Sequence, residues 1–291
     1  MMNISYFQKG FNYSQDGRGN RLVYHLQGCN MRCPWCANPE GLDVNGVLMT
    51  DPQWLTEGSC SKGAVRDGVL DRKMCRDCMD RPCINGYRQK GIRLSCKQEE
   101  VGDIVKECLS CSPMFFDGGG VTLTGGEMSL QLEAVKELLT ALGKKGIHRC
   151  IETNGTSPRA EELFLLVDEW IMDCKHWDGE KHREWLGIGT KQIKKTLEAS
   201  CAAHPDVLIR IPLMPGFNDS KEDALSFAEY LKPFAVRENV RLEVLTYHEF
   251  GKEKWERCGM SYRMKGGQIS REQREFLEQS LRDAGMRVVS T

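Results

Sequence analysis

The chain carries the run Gly28-Cys29-Asn30-Met31-Arg32-Cys33-Pro34-Trp35-Cys36, which places three cysteines at a C-x3-C-x2-C spacing. Thiolates this close together indicate a metal centre. A cubane iron–sulfur cluster that only carries electrons takes four protein ligands, whereas three leave one iron open to bind another group. An open position distinguishes a reactive metal site from a structural one. The run therefore predicts a cluster with a free position, and Cys29, Cys33 and Cys36 are the candidate catalytic and metal-binding residues.

A structural zinc site and a set of buried free cysteines are alternative interpretations of the same run. Zinc needs a fourth ligand nearby; His25 is the candidate just upstream, and no His or Cys follows Cys36 before Cys60. Free cysteines pack well as small apolar groups. Disulfides are disfavoured, because nothing in the sequence marks the chain as secreted. We rank cluster ligation first, zinc second and packing third.

The composition is that of an ordinary globular protein of 291 residues, long enough for one large domain with an insertion. The formal net charge of -1 predicts no nucleic-acid partner and no anionic membrane surface. The N-terminus begins no apolar stretch, so we expect no signal peptide or membrane span and a cytoplasmic location. The 14 cysteines are then metal ligands or buried thiols. An open cluster is easily oxidised, which favours an anaerobic setting.

From about residue 99 onward, short apolar strands alternate with amphipathic helices. Strands are predicted over 22–27, 121–124, 148–151, 170–173, 207–211 (stopped by Pro212), 241–246 and 287–289. Helices are predicted over 130–144, 159–168, 191–203, 221–232 and 271–284. About six strand–helix units are fewer than the eight of a closed barrel. The predicted fold class is therefore α/β, a partial (β/α)6 TIM-like barrel with one side open for a large substrate.

The alternation stops between residues 50 and 98, where cysteines are frequent and large apolar residues are few. A segment that cannot fill its own core usually depends on a metal. We interpret it as an inserted, cysteine-rich, ferredoxin-like module that binds one auxiliary cluster through Cys60, Cys75, Cys78 and Cys83. One zinc ion held by four of the thiols fits the spacing almost as well. The predicted domains are thus 1–49 (first part of the barrel, with the cluster loop), 50–98 (insert) and 99–291 (remainder of the barrel).

Polar or glycine-rich residues follow each predicted strand, at the sheet edge where α/β proteins place their chemistry. Exposed glycine backbone suits the ammonium and carboxylate groups of a ligand, acidic side chains suit its ammonium or ribose hydroxyls, and basic side chains suit its carboxylate. Flat side-chain rings can stack on a nucleobase. Singly, each has an ordinary structural explanation, such as a turn at Thr153-Asn154-Gly155. Together they predict a site for an amino acid joined to a nucleoside. The residues are Gly125, Gly126, Glu127, Glu152, Asp173, Lys175, Arg210, Tyr247 and His248.

These segments resemble the radical S-adenosylmethionine superfamily and, more narrowly, the glycyl radical enzyme activating enzymes, a group that includes pyruvate formate-lyase activating enzyme. The resemblance covers nearly the whole chain. It is carried by residues 28–40 around the cysteines, GGGVTLTGGE (118–127), ETNG (152–155), DCK (173–175), RIPLMPGFND (210–219) and YHEFGKEKW (247–255).

The resemblance implies that the three loop cysteines hold a 4Fe-4S cluster whose open iron binds S-adenosylmethionine. Reductive cleavage would then give a 5′-deoxyadenosyl radical, which takes the α-hydrogen of a glycine in a partner enzyme. Flavodoxin or ferredoxin would supply electrons. By position, Gly125, Gly126 and Glu127 serve the methionyl amine and Lys175 and Arg210 its carboxylate side. Asp173 serves the ribose or a neighbouring monovalent cation, and His248 lies near the adenosine. Glu152 is expected, from its charge, to serve an ammonium group or ribose hydroxyls.

The sequence departs from the family in two informative places. The family usually has Asp-Gly-Pro-Gly-Ile-Arg in an N-terminal loop that contacts the partner; here the loop reads DGRGNR over residues 16–21, with Asp16, Gly17 and Arg21 as the predicted partner contacts. In the family, the insert usually has two runs of four closely spaced cysteines, whereas the insert of this chain has fewer cysteines. Two alternative functions remain: a radical enzyme acting on a small molecule or other peptide, and a zinc-binding module without catalysis.

Overall fold

A computed structural model of the protein describes residues 2–85 and 91–290, so residues 86–90 of the predicted insert lie outside the described residues. The strands are β1 (Asn3–Tyr13), β2 (Asn20–Leu26), β3 (Leu48–Thr50), β4 (Val65–Arg66), β5 (Val69–Leu70), β6 (Ile92–Leu94), β7 (Lys97–Glu100), β8 (Val121–Gly125), β9 (Arg149–Thr153), β10 (Glu169–Asp173), β11 (Val207–Leu213), β12 (Val240–Thr246) and β13 (Val288–Val289). The α-helices are α1 (Arg72–Arg76), α2 (Pro82–Asn85), α3 (Val101–Cys111), α4 (Leu132–Gly143), α5 (Gly179–Leu186), α6 (Lys191–Ala203), α7 (Lys221–Leu231), α8 (Lys252–Arg257) and α9 (Arg271–Asp283).

A nine-stranded sheet organises the chain, in the order β13-β12-β11-β10-β9-β8-β2-β1-β7. Seven of these strands, β2 and β8 to β13, pair in parallel, and helices connect successive strands from β8 onward. β1 and β7 add an antiparallel edge. The predicted α/β class with a parallel sheet is confirmed. Within the described ranges, no helix is long and apolar enough to cross a bilayer.

The two faces of the sheet bury different residues. On β10, Trp170 and Met172 belong to the main apolar core shared with the helices, while Ile171 joins Cys150 and Leu208 in a small cluster on the opposite face. This alternation follows from the two-residue period of a strand. The second face has few apolar residues near the carboxyl ends of its strands, which leaves room there for polar groups.

Strand β1 is absent from the sequence-based prediction. Its register shifts between Tyr6 and Gln8, so that two consecutive residues, Tyr6 and Phe7, are both buried. A bulge of this kind interrupts the alternation by which strands are recognised.

Two further expectations differ from the structure. Pro212 does not stop its strand, because β11 continues to Leu213. The last residue of β10, Asp173, pairs with Arg210, so beyond Arg210 strand β11 has a neighbour on one side only, β12. Pro212 lies in this part of the strand, where its missing N–H is tolerated because the other side is a local edge. The helix predicted over 159–168 is a 3-10 helix, Ala160–Leu166.

The cysteine-rich segment forms two small antiparallel sheets, β3 with β6 and β4 with β5, beside the short helices α1 and α2. A local apolar cluster lies among them, made of Leu48, Leu55, Cys60, Ala64, Val65, Leu70, Cys83 and Ile92.

Arg21 fixes the loop between β1 and β2 to the inner face of the sheet. The side chain has no exposed surface; Nε donates to Thr122 Oγ1 (2.7 Å), Nη2 to the carbonyl of Val121 (2.8 Å) and Nη1 to the carbonyl of Arg18 (3.0 Å). Buried acceptors that lose such a donor cost more than the bond itself contributes.

We expect Arg21→Met to lower the free energy of unfolding by about 3 kcal/mol, because Thr122 Oγ1 and the Val121 carbonyl stay buried and lose this donor. The same change at Arg159, an exposed residue paired with Glu133 and Glu162, should cost less than about 1 kcal/mol. Urea unfolding followed by circular dichroism under anaerobic conditions measures both. Equal losses of unfolding free energy for Arg21→Met and Arg159→Met would contradict a structural role for the Arg21 hydrogen bonds.

Candidate functional site

A cavity of about 370 Å³ opens at the carboxyl ends of the parallel strands. The loop cysteines and most of the strand-end residues predicted from the sequence line it. Its wall includes Cys29, Cys33, Cys36, Gly125, Gly126, Glu152, Asp173, Lys175, Tyr247 and His248. Asp16 also lines it, so the N-terminal loop reaches the same space.

The cysteine loop is held to the protein by its backbone. The N–H of Gly28 donates to the carbonyl of Gly41 (2.8 Å), and that of Cys29 to the carbonyl of Leu42 (3.2 Å). From far along the chain, Trp255 Nε1 on α8 donates to the carbonyl of Cys36 (2.8 Å). The three thiols are therefore positioned by main-chain contacts that leave their side chains free to bind a metal.

Gly126 is the point at which β8 and the cysteine loop touch. Its N–H donates to the carbonyl of Leu26 (2.9 Å), and the next N–H, of Glu127, donates to the carbonyl of Gly28 (2.7 Å). A Cβ at position 126 would lie 1.9 Å from the Gly28 oxygen, so no residue larger than glycine fits.

Burial sets the protonation of the three thiols. It raises the pKa of Cys29 and raises the pKa of Cys33 and of Cys36 to about 12, with nearby Lys175 opposing the rise. Thiolates packed together in a closed wall need positive charge to be stable there, and a thiolate is the form that binds metal. The donor set therefore fits an iron–sulfur cluster.

Among residues 2–85 and 91–290, no three His, Cys, Asp or Glu side chains converge tightly enough to hold one metal ion. A single zinc ion requires its ligand atoms within about 2.0–2.3 Å of one point. A cluster distributes its cysteines over separate irons and so needs them further apart.

A row of polar side chains crosses the inner face of six parallel strands. Adjacent strands pair His25 with Thr124, Asp173 with Arg210, and Arg210 with Glu243. Glu152 on β9 pairs with Ile171 on β10, two residues before Asp173, so the polar row is staggered between these two strands. Register thus brings residues from distant parts of the sequence to the same face of the sheet.

Hydrogen bonds connect most of the polar row. Thr124 Oγ1 donates to Glu152 (2.6 Å), Arg210 Nη1 donates to Glu152 (2.8 Å), and Arg210 Nε donates to Glu243 (3.0 Å). Burial alone would raise the pKa of Glu152, but Arg210 and Thr124 outweigh it and hold that pKa below its usual value. Asp16, buried and facing the negative charge of Glu152, has a raised pKa. The row therefore keeps one ionised carboxylate on the cavity wall.

Lys175 and Asp173 form an ion pair on the cavity wall. Burial disfavours the Lys175 charge, yet Asp173 and Cys33 outweigh this and raise the pKa of Lys175. Asn218 positions this lysine: Nδ2 donates to the carbonyls of Lys175 and Pro212 (both 2.9 Å), and Oδ1 accepts from the N–H of Met214 (2.7 Å). One buried amide thus joins the end of β10 to that of β11.

Two predicted ligand-binding residues are absent from the cavity lining. The Glu127 carboxylate is fully buried and accepts from Thr153 Oγ1 (2.9 Å) and the N–H of Asn154 (2.9 Å). Arg210 lies behind Glu152 and is 3% exposed. In this arrangement Glu127 and Arg210 hold the wall, and a direct contact with ligand stays a prediction.

Of the predicted partner contacts, Asp16 alone lines the cavity. Gly17 and Arg21 are buried, so they can influence a partner only through the loop that they shape.

The four predicted ligands of the insert come together as well. Cys60, Cys75, Cys78 and Cys83 line a second cavity, of about 150 Å³, beside the local apolar cluster. Burial raises the pKa of Cys75 and Cys83, each facing other thiols of the group. By contrast Cys108 is fully buried in the main core, as expected for a packing residue.

Three residues have roles in the site that the sequence did not assign: His25 on the wall, considered only as a fourth zinc ligand, Asn218 beneath Lys175, and Trp255 against Cys36. The alternation of β2 would have pointed His25 to the inner face. Asn218 and Trp255 lie in segments that carry the family resemblance, but their roles gave no sequence signal, because each acts through a backbone carbonyl.

A cluster-competent cysteine loop above an α/β sheet defines a class of metal-dependent enzymes. The chain matches the Radical SAM superfamily over residues 23–228. It belongs to that superfamily and, within it, to the activating enzymes of glycyl radical enzymes.

Two relatives show how far the similarity extends. The chain is 32% identical over 267 residues to the (2S)-3-sulfopropanediol sulfolyase activating enzyme of Bilophila wadsworthia, covering 86% of this chain and 87% of that protein. It is 29% identical over 289 residues to the 4-hydroxyphenylacetate decarboxylase activating enzyme of Clostridioides difficile, covering 93% and 90%. A radical SAM methyltransferase from Sphaerobacter thermophilus shares the fold, with a TM-score of 0.54 at 14% identity over 96% of this chain and 67% of that one.

Asn218→Asp should lower the free energy of unfolding by about 2–4 kcal/mol, because an oxygen replaces the amide nitrogen that faces two buried carbonyls. The same substitution at exposed Asn45 should change it by less than about 0.5 kcal/mol. Chemical denaturation compares the two. The assignment is wrong if Asn218→Asp unfolds at the wild-type midpoint.

Proposed function

We propose that this enzyme reductively cleaves S-adenosylmethionine at a 4Fe-4S cluster held by Cys29, Cys33 and Cys36 and installs a glycyl radical on a partner enzyme. One observation carries the proposal: the three thiols share a cavity with a half-buried lysine–aspartate pair and an ionised glutamate. These are the groups that a zwitterionic amino acid linked to a ribose requires.

A 4Fe-4S cluster held by Cys29, Cys33 and Cys36 would supply the electron for reductive cleavage of the C5′–S bond of S-adenosylmethionine, and the products would be methionine and a 5′-deoxyadenosyl radical able to take the glycine α-hydrogen atom. The chain's own task is to bind, orient and shield these groups. Gly125 and Gly126 offer main chain beside the cysteine loop for the methionyl amine, with Glu127 fixing the turn behind them. The enclosing wall limits access of water to the reacting groups.

The remaining contacts follow from charge and position. Lys175 faces the methionyl carboxylate, backed by Arg210 through Glu152. Glu152 and Asp173 accept from ribose hydroxyls, and Asp173 is the residue that a monovalent cation would bind. His248 stands at the exposed rim, stacked on Phe250 at 4.3 Å, where an adenine can join the stack.

The fold proposal has two parts. Residues 1–49 and 99–291 form a partial (β/α)6 barrel, supported by a strand order with two separate ends, β13 and β7. Residues 50–98 form a ferredoxin-like module with one auxiliary cluster on Cys60, Cys75, Cys78 and Cys83, supported by the shared cavity of these thiols. A flavodoxin- or ferredoxin-type protein is the proposed electron donor, in the cytoplasm.

The partner is a glycyl radical enzyme whose glycine segment reaches Asp16 and the cavity. The relatives' names refer to lyases and decarboxylases of different chemistry, so the partner's own reaction is left open. Anaerobic incubation with S-adenosylmethionine, a reductant and a candidate partner tests the proposal. We expect 5′-deoxyadenosine and a glycyl radical signal by paramagnetic resonance; deoxyadenosine without the signal for any candidate partner would favour another substrate.

Cys33→Ala should abolish cluster assembly and reduce S-adenosylmethionine cleavage to background, because two thiolates remain for the cluster. Iron content, the visible spectrum and deoxyadenosine yield measure this. Cys111→Ala, which changes a partly buried cysteine outside the site, is the control and should keep the wild-type values. Full cleavage by Cys33→Ala would refute the ligand assignment.

Cys78→Ala should remove about half of the bound iron, as expected when one of two clusters is lost, and leave cleavage at the main cluster detectable. Cys96→Ala is the matched control, since Cys96 lies outside the insert cavity. Unchanged iron in Cys78→Ala would argue against the auxiliary cluster.

A further inference from the structure

His25 stands apart from the other members of the polar row. Its Nδ1 is enclosed, and no described residue forms a hydrogen bond with it. Among the residues that line the cavity, it is the one with an enclosed, unpartnered polar side-chain atom in the described part of the chain. Buried polar groups are normally bonded, so the absence of a bond at Nδ1 shows that this nitrogen does not hold the ring in the fold.

The surroundings of His25 are specific. Its ring lies 5.6 Å from that of Phe7, and its cross-strand neighbour is Thr124, which donates to Glu152 instead. Because Nδ1 is enclosed in the wall, the ring can present only its other nitrogen, Nε2, to the cavity that it lines. Neither nitrogen therefore serves the folded protein by itself.

The chemistry of the missing partner follows from charge. Burial lowers the pKa of His25, Lys254 adds to the lowering, and Glu152 and Glu40 oppose it without reversing it. A neutral imidazole has one donor and one acceptor. It therefore matches an uncharged polar group, such as an amide or a hydroxyl, better than a carboxylate or an ammonium.

We infer that His25 is a specificity-determining contact that hydrogen-bonds, through Nε2, to an uncharged polar group of the molecule bound in the cavity. The inference rests on the proposed function, which offers two sources of such a group. One is the nucleoside of S-adenosylmethionine, and the other is the main chain of the partner's glycine-bearing segment.

Two substitutions separate the hydrogen bond from the ring. His25→Phe keeps a flat ring against Phe7 and removes both nitrogens, whereas His25→Gln restores an amide near the position of Nε2. His182→Phe is the control: His182 is buried more deeply than the half-buried His25, and its Nδ1 is bonded to the carbonyl of Ile188 in a region outside the cavity.

The first readout is the melting temperature of the cluster-loaded enzyme without S-adenosylmethionine. His25→Phe should leave it unchanged or raise it, because two unbonded polar atoms are replaced by carbon. His182→Phe should lower it. A fall for His25→Phe equal to that for His182→Phe would assign His25 to the fold and overturn the inference.

The second readout is binding. His25→Phe should raise either the dissociation constant of S-adenosylmethionine, measured by equilibrium dialysis, or the KM of the partner enzyme, by roughly 3- to 10-fold. A higher dissociation constant for S-adenosylmethionine identifies the nucleoside as the bonded group. A higher KM for the partner enzyme alone identifies the partner segment. His25→Gln should recover part of either loss.

Unchanged values for both S-adenosylmethionine and partner would overturn the inference. Failure of the proposed function is distinguishable, because the wild-type enzyme would then bind no S-adenosylmethionine, and the melting comparison would still decide whether His25 serves the fold.

Discussion

The close approach of Gly126 to Gly28 is the constraint on which the site depends. Two successive N–H groups, of Gly126 and Glu127, bond to the carbonyls of Leu26 and Gly28, and a Cβ at residue 126 would overlap the Gly28 oxygen. The start of the cysteine loop is therefore fixed to the end of β8. The thiols and the glycine backbone that would meet a ligand are held in one rigid junction.

The polar row shows how the protein keeps charge inside a closed wall. Glu152 and Glu243 flank Arg210, so that neither carboxylate nor guanidinium is buried alone. An isolated buried charge is costly, and removing one partner leaves the others uncompensated. The row therefore behaves as a unit, and a change at Glu243 on β12 acts on the carboxylate that faces the cavity from β9.

The sequence was sufficient for the parallel strands, because strands buried on both faces read as short apolar runs that end at glycine or polar residues. The sequence also predicted that the loop cysteines and the residues at the strand ends belong to one site. The sequence does not show how deeply each side chain is buried. Glu127 and Arg210 were therefore expected to line the cavity, although they lie behind its wall. Nor could it reveal Asn218, since a contact with a backbone carbonyl has no sequence pattern.

Helix α8 joins parts of the protein that are distant in sequence. Trp255 bonds to Cys36 across 219 residues, and the carbonyl of Arg257 accepts from Arg72 in the cysteine-rich insert. During synthesis the N-terminal cysteines leave the ribosome long before this helix exists. The hydrogen bond that fixes the Cys36 carbonyl can therefore form only when the chain is almost complete.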